Sequence, residues 1–161
     1  MLIDWLRWLH VIGATVLLGT GVGIAFFMFM AHRTNNVAVI AHTAGVVVVA
    51  DFVFTASAVI LQPVTGVLLA QQIGWPLTQG WLALSICLYV LTGLCWLPVV
   101  RLQMRMRDLA RAAQKNNEAL PAAYYPLYRR WFFLGIPAFV SVLAIVWLML
   151  AKPAITIFKA G

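Results

Sequence analysis

His10 and Gln62 lie inside long stretches free of Asp, Glu, Lys and Arg, and Asp51 sits at the edge of one. Polar groups in hydrocarbon are costly and face the interior of a helix bundle, so each is a candidate for chemistry. A histidine there can ligate haem iron or move a proton. The structural alternative is a histidine bonded to a neighbouring carbonyl or to water. Gly13, Ala14, Leu17, Thr20 and Gly21 follow His10 on one helical face. Small residues there admit a partner helix or a flat ligand.

Two polar stripes accompany His10. Asp51, Thr55, Ala58, Gln62 and Thr65 are spaced by 4, 3, 4 and 3, which keeps them on one helix face. Asp51 needs a partner, for which Arg33, Arg101 and Arg130 are the basic candidates; an ion pair at the membrane boundary competes with catalysis as its role. Gln62 precedes Pro63 and can bond a carbonyl that the proline frees, or point at a ligand. Ser85, Tyr89, Thr92 and Trp96 repeat the 4, 3, 4 pattern. His10, Gln62 and Tyr89 then fall at similar depth, and with Gly13 they form the candidate cofactor site. The competing reading is that such stripes simply hold helices together. Gly19-x-x-x-Gly23 is expected to serve packing within the chain.

The elements that position these residues are membrane helices. Of 161 residues 64% are hydrophobic and 9% charged, against roughly 25% charged in a soluble domain. A crossing needs about 20 apolar residues. The spacing predicts an all-α, four-helix membrane bundle in one domain over 1–161, with crossings at about 5–29, 50–70, 81–100 and 131–151. Gly74, Trp75 and Pro76 break the middle stretch. Val37–Val49 is expected to be an interfacial or partly embedded lead-in. Leu102, Met106, Leu109 and Ala113 recur at helical spacing, which predicts an amphipathic cytoplasmic extension of the third helix. Pro63, Pro98 and Pro137 lie inside apolar runs and predict kinks or freed carbonyls.

Charge sets the orientation. Seven of the eleven basic residues (Arg101, Arg105, Arg107, Arg111, Lys115, Arg129, Arg130) occupy one polar segment, and Arg33 falls on the same side. Arg7, Lys152 and Lys159 fall on the other. The positive-inside rule predicts a multi-pass chain with both termini outside, which in a Gram-negative bacterium is the periplasmic side of the inner membrane. The +7 net charge is thereby a loop signal, and no nucleic-acid motif accompanies it. The partners expected are the lipid bilayer and other membrane proteins or further copies of the chain. Cys87 and Cys95, about 12 Å apart along one helix, cannot bridge. Phosphate loops, zinc spacings, HExxH and nucleophile elbows are absent, which argues against nucleotide hydrolysis and peptidase chemistry.

Trp8-Leu9-His10-Val11-Ile12-Gly13, Ala31-His32-Arg33, Ala50-Asp51-Phe52 through Leu61-Gln62-Pro63-Val64-Thr65-Gly66, Trp96-Leu97-Pro98-Val99-Val100 and Arg130-Trp131-Phe132 through Ala151-Lys152-Pro153 resemble a bacterial integral membrane family, domain of unknown function 2269. More distantly, the Leu-His opening and the Pro137 to Lys152-Pro153 ending are similar to the small haem-containing membrane protoporphyrinogen oxidases. That resemblance implies haem b on His10. Where those enzymes carry a later histidine this chain has Tyr89 and Trp96, and Gly135-Ile136 replaces their Asn-Glu pair. The fold and haem binding carry over; the oxidase activity does not. With one deep histidine, the iron would be five-coordinate or take a Met or Lys. The alternatives are a non-catalytic membrane subunit or assembly factor and, more weakly, a small transporter.

Overall fold

A computed structural model describes residues 1–155; Lys159, counted above on the side of the termini, lies outside them. The elements are α1 (Leu2–Arg33), α2 (Val37–Ala50), a π-helical turn (Asp51–Thr55), α3 (Ala56–Ile73), α4 (Gly80–Lys115) and α5 (Tyr124–Ala151). Four helices are long and apolar enough to cross a membrane: α1, the continuous Val37–Ile73 helix, α4 and α5.

Local chemistry sets their ends. The Asn36 side chain caps α2 by accepting the Ala38 amide at 2.9 Å and the Val39 amide at 3.3 Å, which satisfies donors that the first turn leaves open. Gly74 ends α3 in the left-handed region, at a φ of 83°. Its amide and that of Trp75 both close on the Ala70 carbonyl, as at many glycine-terminated helices. Lys152 ends α5, also in the left-handed region, and is followed by Pro153.

The expected lead-in, Val37–Val49, does not stand as a helix of its own. It runs through the π turn into the span as one helix of 37 residues. The reason lies in the extension of α4. Met106, Ala110 and Ala113 form an apolar stripe that needs cover. Ile40, Ala41, Ala44 and Val47 pack with Met106 and Ala110 in one buried cluster. The small side chains permit close approach, and at Gly45 the Arg111 guanidinium lies where a Cβ would stand.

The end carrying Arg33 and the α4–α5 loop is strongly basic; the end carrying Met1 and Lys152 holds Arg7 and Lys152 against Asp4. At the basic end His32 of α1 stacks on Tyr128 of α5 at 3.8 Å between ring centroids, with an interplanar angle of 18°. Nearer the termini, α1 and α5 line a cavity of about 730 Å³ with His10, Ala14, Leu18 and Phe26 on one side and Ile145, Val146 and Met149 on the other. Gly19 and Gly23 line it too, and an added Cβ at Gly19 would meet nothing within 4 Å. This pair therefore does not serve packing within the chain; it faces the gap between the two helices.

Candidate functional site

His10 is positioned by α3. Its Nδ1 lies 2.8 Å from Thr65 Oγ1. The Thr65 hydroxyl spends its single proton on a carbonyl of its own helix, that of Leu61 at 2.7 Å. Toward His10 it can then only accept. With the hydroxyl proton assigned in this way, His10 carries its own proton on Nδ1 and Nε2 keeps a free lone pair. Among the described residues Nε2 has no hydrogen-bond partner, and the ring lines the 730 Å³ cavity. Gly66 makes room for this arrangement, because a Cβ there would stand 3.2 Å from His10 Cε1.

Gln62 and Gly13 act as a pair. The Gln62 amide donates to the His10 carbonyl at 2.8 Å, and an added Cβ on Gly13 would collide with that same nitrogen. Gly13 is buried here and stands outside both cavity walls; its role is to make space for Gln62. Pro63 does free a carbonyl, but Gln62 does not take it. The missing Pro63 amide would have bonded the Val59 oxygen four residues back. The Tyr89 hydroxyl of α4 donates there instead.

A second cavity of about 510 Å³ lies deeper, lined by Asp51, Thr55, Gln62, Tyr89, Thr92, Trp96, Gln103 and Trp131 among apolar neighbours. It shares Ala14, Leu18, Val22, Phe26, Gln62, Ile145 and Val146 with the first. His10 thus lines the outer chamber, Tyr89 the inner one, and Gln62 both.

Asp51 is 3% exposed. Its expected arginine partner is not there: among the described residues no cation forms an ion pair with it. Arg33 is exposed with its guanidinium over the Phe29 ring at 5.9 Å, and Arg101 and Arg130 are exposed. Neutral donors reach the carboxylate instead. Trp96 Nε1 lies 3.2 Å from each oxygen. With its amide turned to satisfy both neighbours, Gln103 donates to Asp51 Oδ2 at 3.0 Å and accepts from Trp131 Nε1 at 3.1 Å. Long arginine side chains at a membrane boundary carry their charge outward to water, whereas an indole and an amide can be buried whole.

The wider turn that begins at Asp51 belongs to this site. The Ala56 amide reaches back five residues to the Asp51 carbonyl. Ser57 Oγ bonds the Val53 and Phe54 carbonyls at 2.7 and 3.0 Å. Such π turns occur frequently at functional positions. Thr55, on the same turn, is buried with its hydroxyl beside the Asp51 carboxylate and no other hydrogen-bond partner among the described residues.

The site and the helices around it fall within one continuous match to a known family model. The chain belongs to the family described as predicted integral membrane protein, domain of unknown function 2269. The match spans residues 4–153, and so takes in all four helices and both cavities. No curated protein and no solved structure matches the chain. For this member of the family the residues themselves must carry the functional argument.

Three participants escaped the sequence reading. Gln103 continues the Ser85–Trp96 stripe two turns further, so its signal was present but hidden among basic neighbours. Trp131 reads as a membrane-boundary tryptophan. Met149 resembles any other apolar residue of α5; only the fold sets it across a cavity from α1.

Proposed function

We propose that this integral membrane protein binds haem b or a related porphyrin in the chamber between α1 and α5, where His10 Nε2 would hold the iron, and serves a redox role. The observation that carries the reading is the 2.8 Å contact between His10 Nδ1 and Thr65 Oγ1, on a ring that lines the cavity. Iron-bound histidines donate their other ring nitrogen to a neighbouring oxygen, which holds the ring and its tautomer. Thr65 accepts in that way here. The chamber volume of about 730 Å³ is that of a small-molecule site. Open backbone at Gly19 and Gly23 suits a flat ligand. Met149 on the opposite wall would offer the iron a thioether. When bound, haem would supply one-electron chemistry at its iron. The chain's own contribution is to orient the imidazole through Thr65, hold the His10 turn through Gln62, and exclude water with aliphatic walls.

The basic end is proposed to face the cytoplasm of a bacterial cell, with both termini outside, because Lys and Arg are retained on that side. A second reading follows from the open glycine face of α1: the gap seats a helix of another membrane protein, and the chain is a non-catalytic subunit or assembly factor.

The visible spectrum of protein purified in mild detergent, oxidised and then dithionite-reduced, separates the two. Near-stoichiometric haem with a Soret band lost in His10→Ala supports the first. A colourless protein even with haem supplied during expression, co-purifying with a membrane partner, overturns it in favour of the second.

A further inference from the structure

We infer that the inner chamber is a binding site for a lipophilic organic cation, an amine whose ammonium group pairs with Asp51. The argument begins with charge. Asp51 is buried in a membrane-spanning segment, and only neutral groups, Trp96 and Gln103, donate to it. A buried carboxylate without a countercharge is expensive, and the cost falls when a cation joins it. Thr55 sets a hydroxyl beside that carboxylate: 8% exposed and lining the same chamber, its oxygen meets no other hydrogen-bond partner among the described residues. An ammonium group has three protons to give, and a carboxylate beside a hydroxyl has the lone pairs to take them.

The rest of the chamber selects the body of the ligand. Trp96 and Trp131 line the chamber at the carboxylate's end and Tyr89 further along it, and aromatic rings attract cations. Beyond them the lining is aliphatic with Phe26, Phe132 and Phe139, a place for an apolar tail or ring. The volume of about 510 Å³ suits a small amphiphile. Access comes from the side: the wall shared with the outer chamber lies between Leu18 and Val22 of α1 and Ile145 and Val146 of α5. A molecule dissolved in the bilayer can enter there without crossing the basic loops. The groups that would hold the amine, Asp51 and Thr55, line the inner chamber alone, so the proposal does not require haem on His10.

The test uses full-length protein in nanodiscs of zwitterionic lipid, with dansylcadaverine as the cationic probe and its N-acetylated form as the neutral match. Energy transfer from tryptophan reports occupancy. The wild type should bind the cation at least about tenfold more tightly than the neutral form, as expected for a hydrogen-bonded charge. Asp51→Asn, which keeps shape and an acceptor, should lose that preference, with neutral binding changed less than about twofold. Thr55→Val should weaken the cation alone. Equal binding of both probes by the wild type overturns the proposal, as does an undiminished preference in Asp51→Asn. If Asp51→Asn does not fold, the wild-type preference together with Thr55→Val decides. A colourless protein that retains the cation preference sinks the haem reading and leaves this one standing.

Discussion

The Tyr89 hydroxyl of α4 donates to the Val59 carbonyl of α3, the acceptor that Pro63 leaves without its helical amide. A cost imposed by one helix is met by its neighbour, and the two are thereby locked in register. In lipid no water stands ready to take that carbonyl.

Tyr89→Phe should therefore destabilise the bundle by about 1 kcal/mol, the scale of a lost hydrogen bond with an acceptor left unpaired. In Pro63→Ala the helix supplies its own amide, and the same Tyr89→Phe change should cost only a few tenths. Denaturation of the two single variants and the double variant in detergent measures the coupling. Strictly additive effects would show that Tyr89 does not serve that carbonyl.

Haem retention should follow the imidazole's support. His10→Ala should abolish the Soret band. Thr65→Val removes the acceptor for Nδ1–H and should weaken haem binding about tenfold or more, the usual range for losing such a partner. Met149→Leu should keep the pigment and move its spectrum from six- toward five-coordinate. An unchanged spectrum in Met149→Leu would remove the thioether from the ligand set without touching His10.

Gly13→Ala drives a methyl group into the Gln62 amide. Overpacking of this kind costs about 1–3 kcal/mol. Gln62→Ala in the same chain should relieve most of it, because the obstacle is gone. Thermal unfolding of the single and double variants checks this; a Gly13→Ala protein as stable as wild type would mean that Gln62 rearranges freely.

Orientation can be read in intact cells. With Cys87 and Cys95 replaced by Ala, a thiol introduced by Asp108→Cys on the α4 extension, where the Asp108 side chain is largely exposed, should resist a membrane-impermeant maleimide until the cells are opened. Labelling from outside would reverse the topology.

Sequence alone determined that the chain holds four membrane-spanning stretches and that the Asp51–Thr65 face of the second turns inward. Apolar length and the 3.6-residue period are local properties. Asp51, Thr55, Ala58, Gln62 and Thr65 are all buried, as their spacing requires. Proline chemistry was legible as well, in that Pro63 had to free a carbonyl. What answers it was not legible, because the partner lies on another helix. The same limit explains Asp51. Sequence offers a carboxylate and a set of arginines, and opposite charges invite pairing; only tertiary packing brings Trp96 and Gln103 to the oxygens and leaves the arginines at the surface. It also decided that Val37–Ala50 covers the α4 extension, and that α1 and α5 stand apart across from Met149. Periodicity reports which face of a helix is buried. Which helix buries it, and where two helices fail to meet, depends on the register and spacing of the whole bundle.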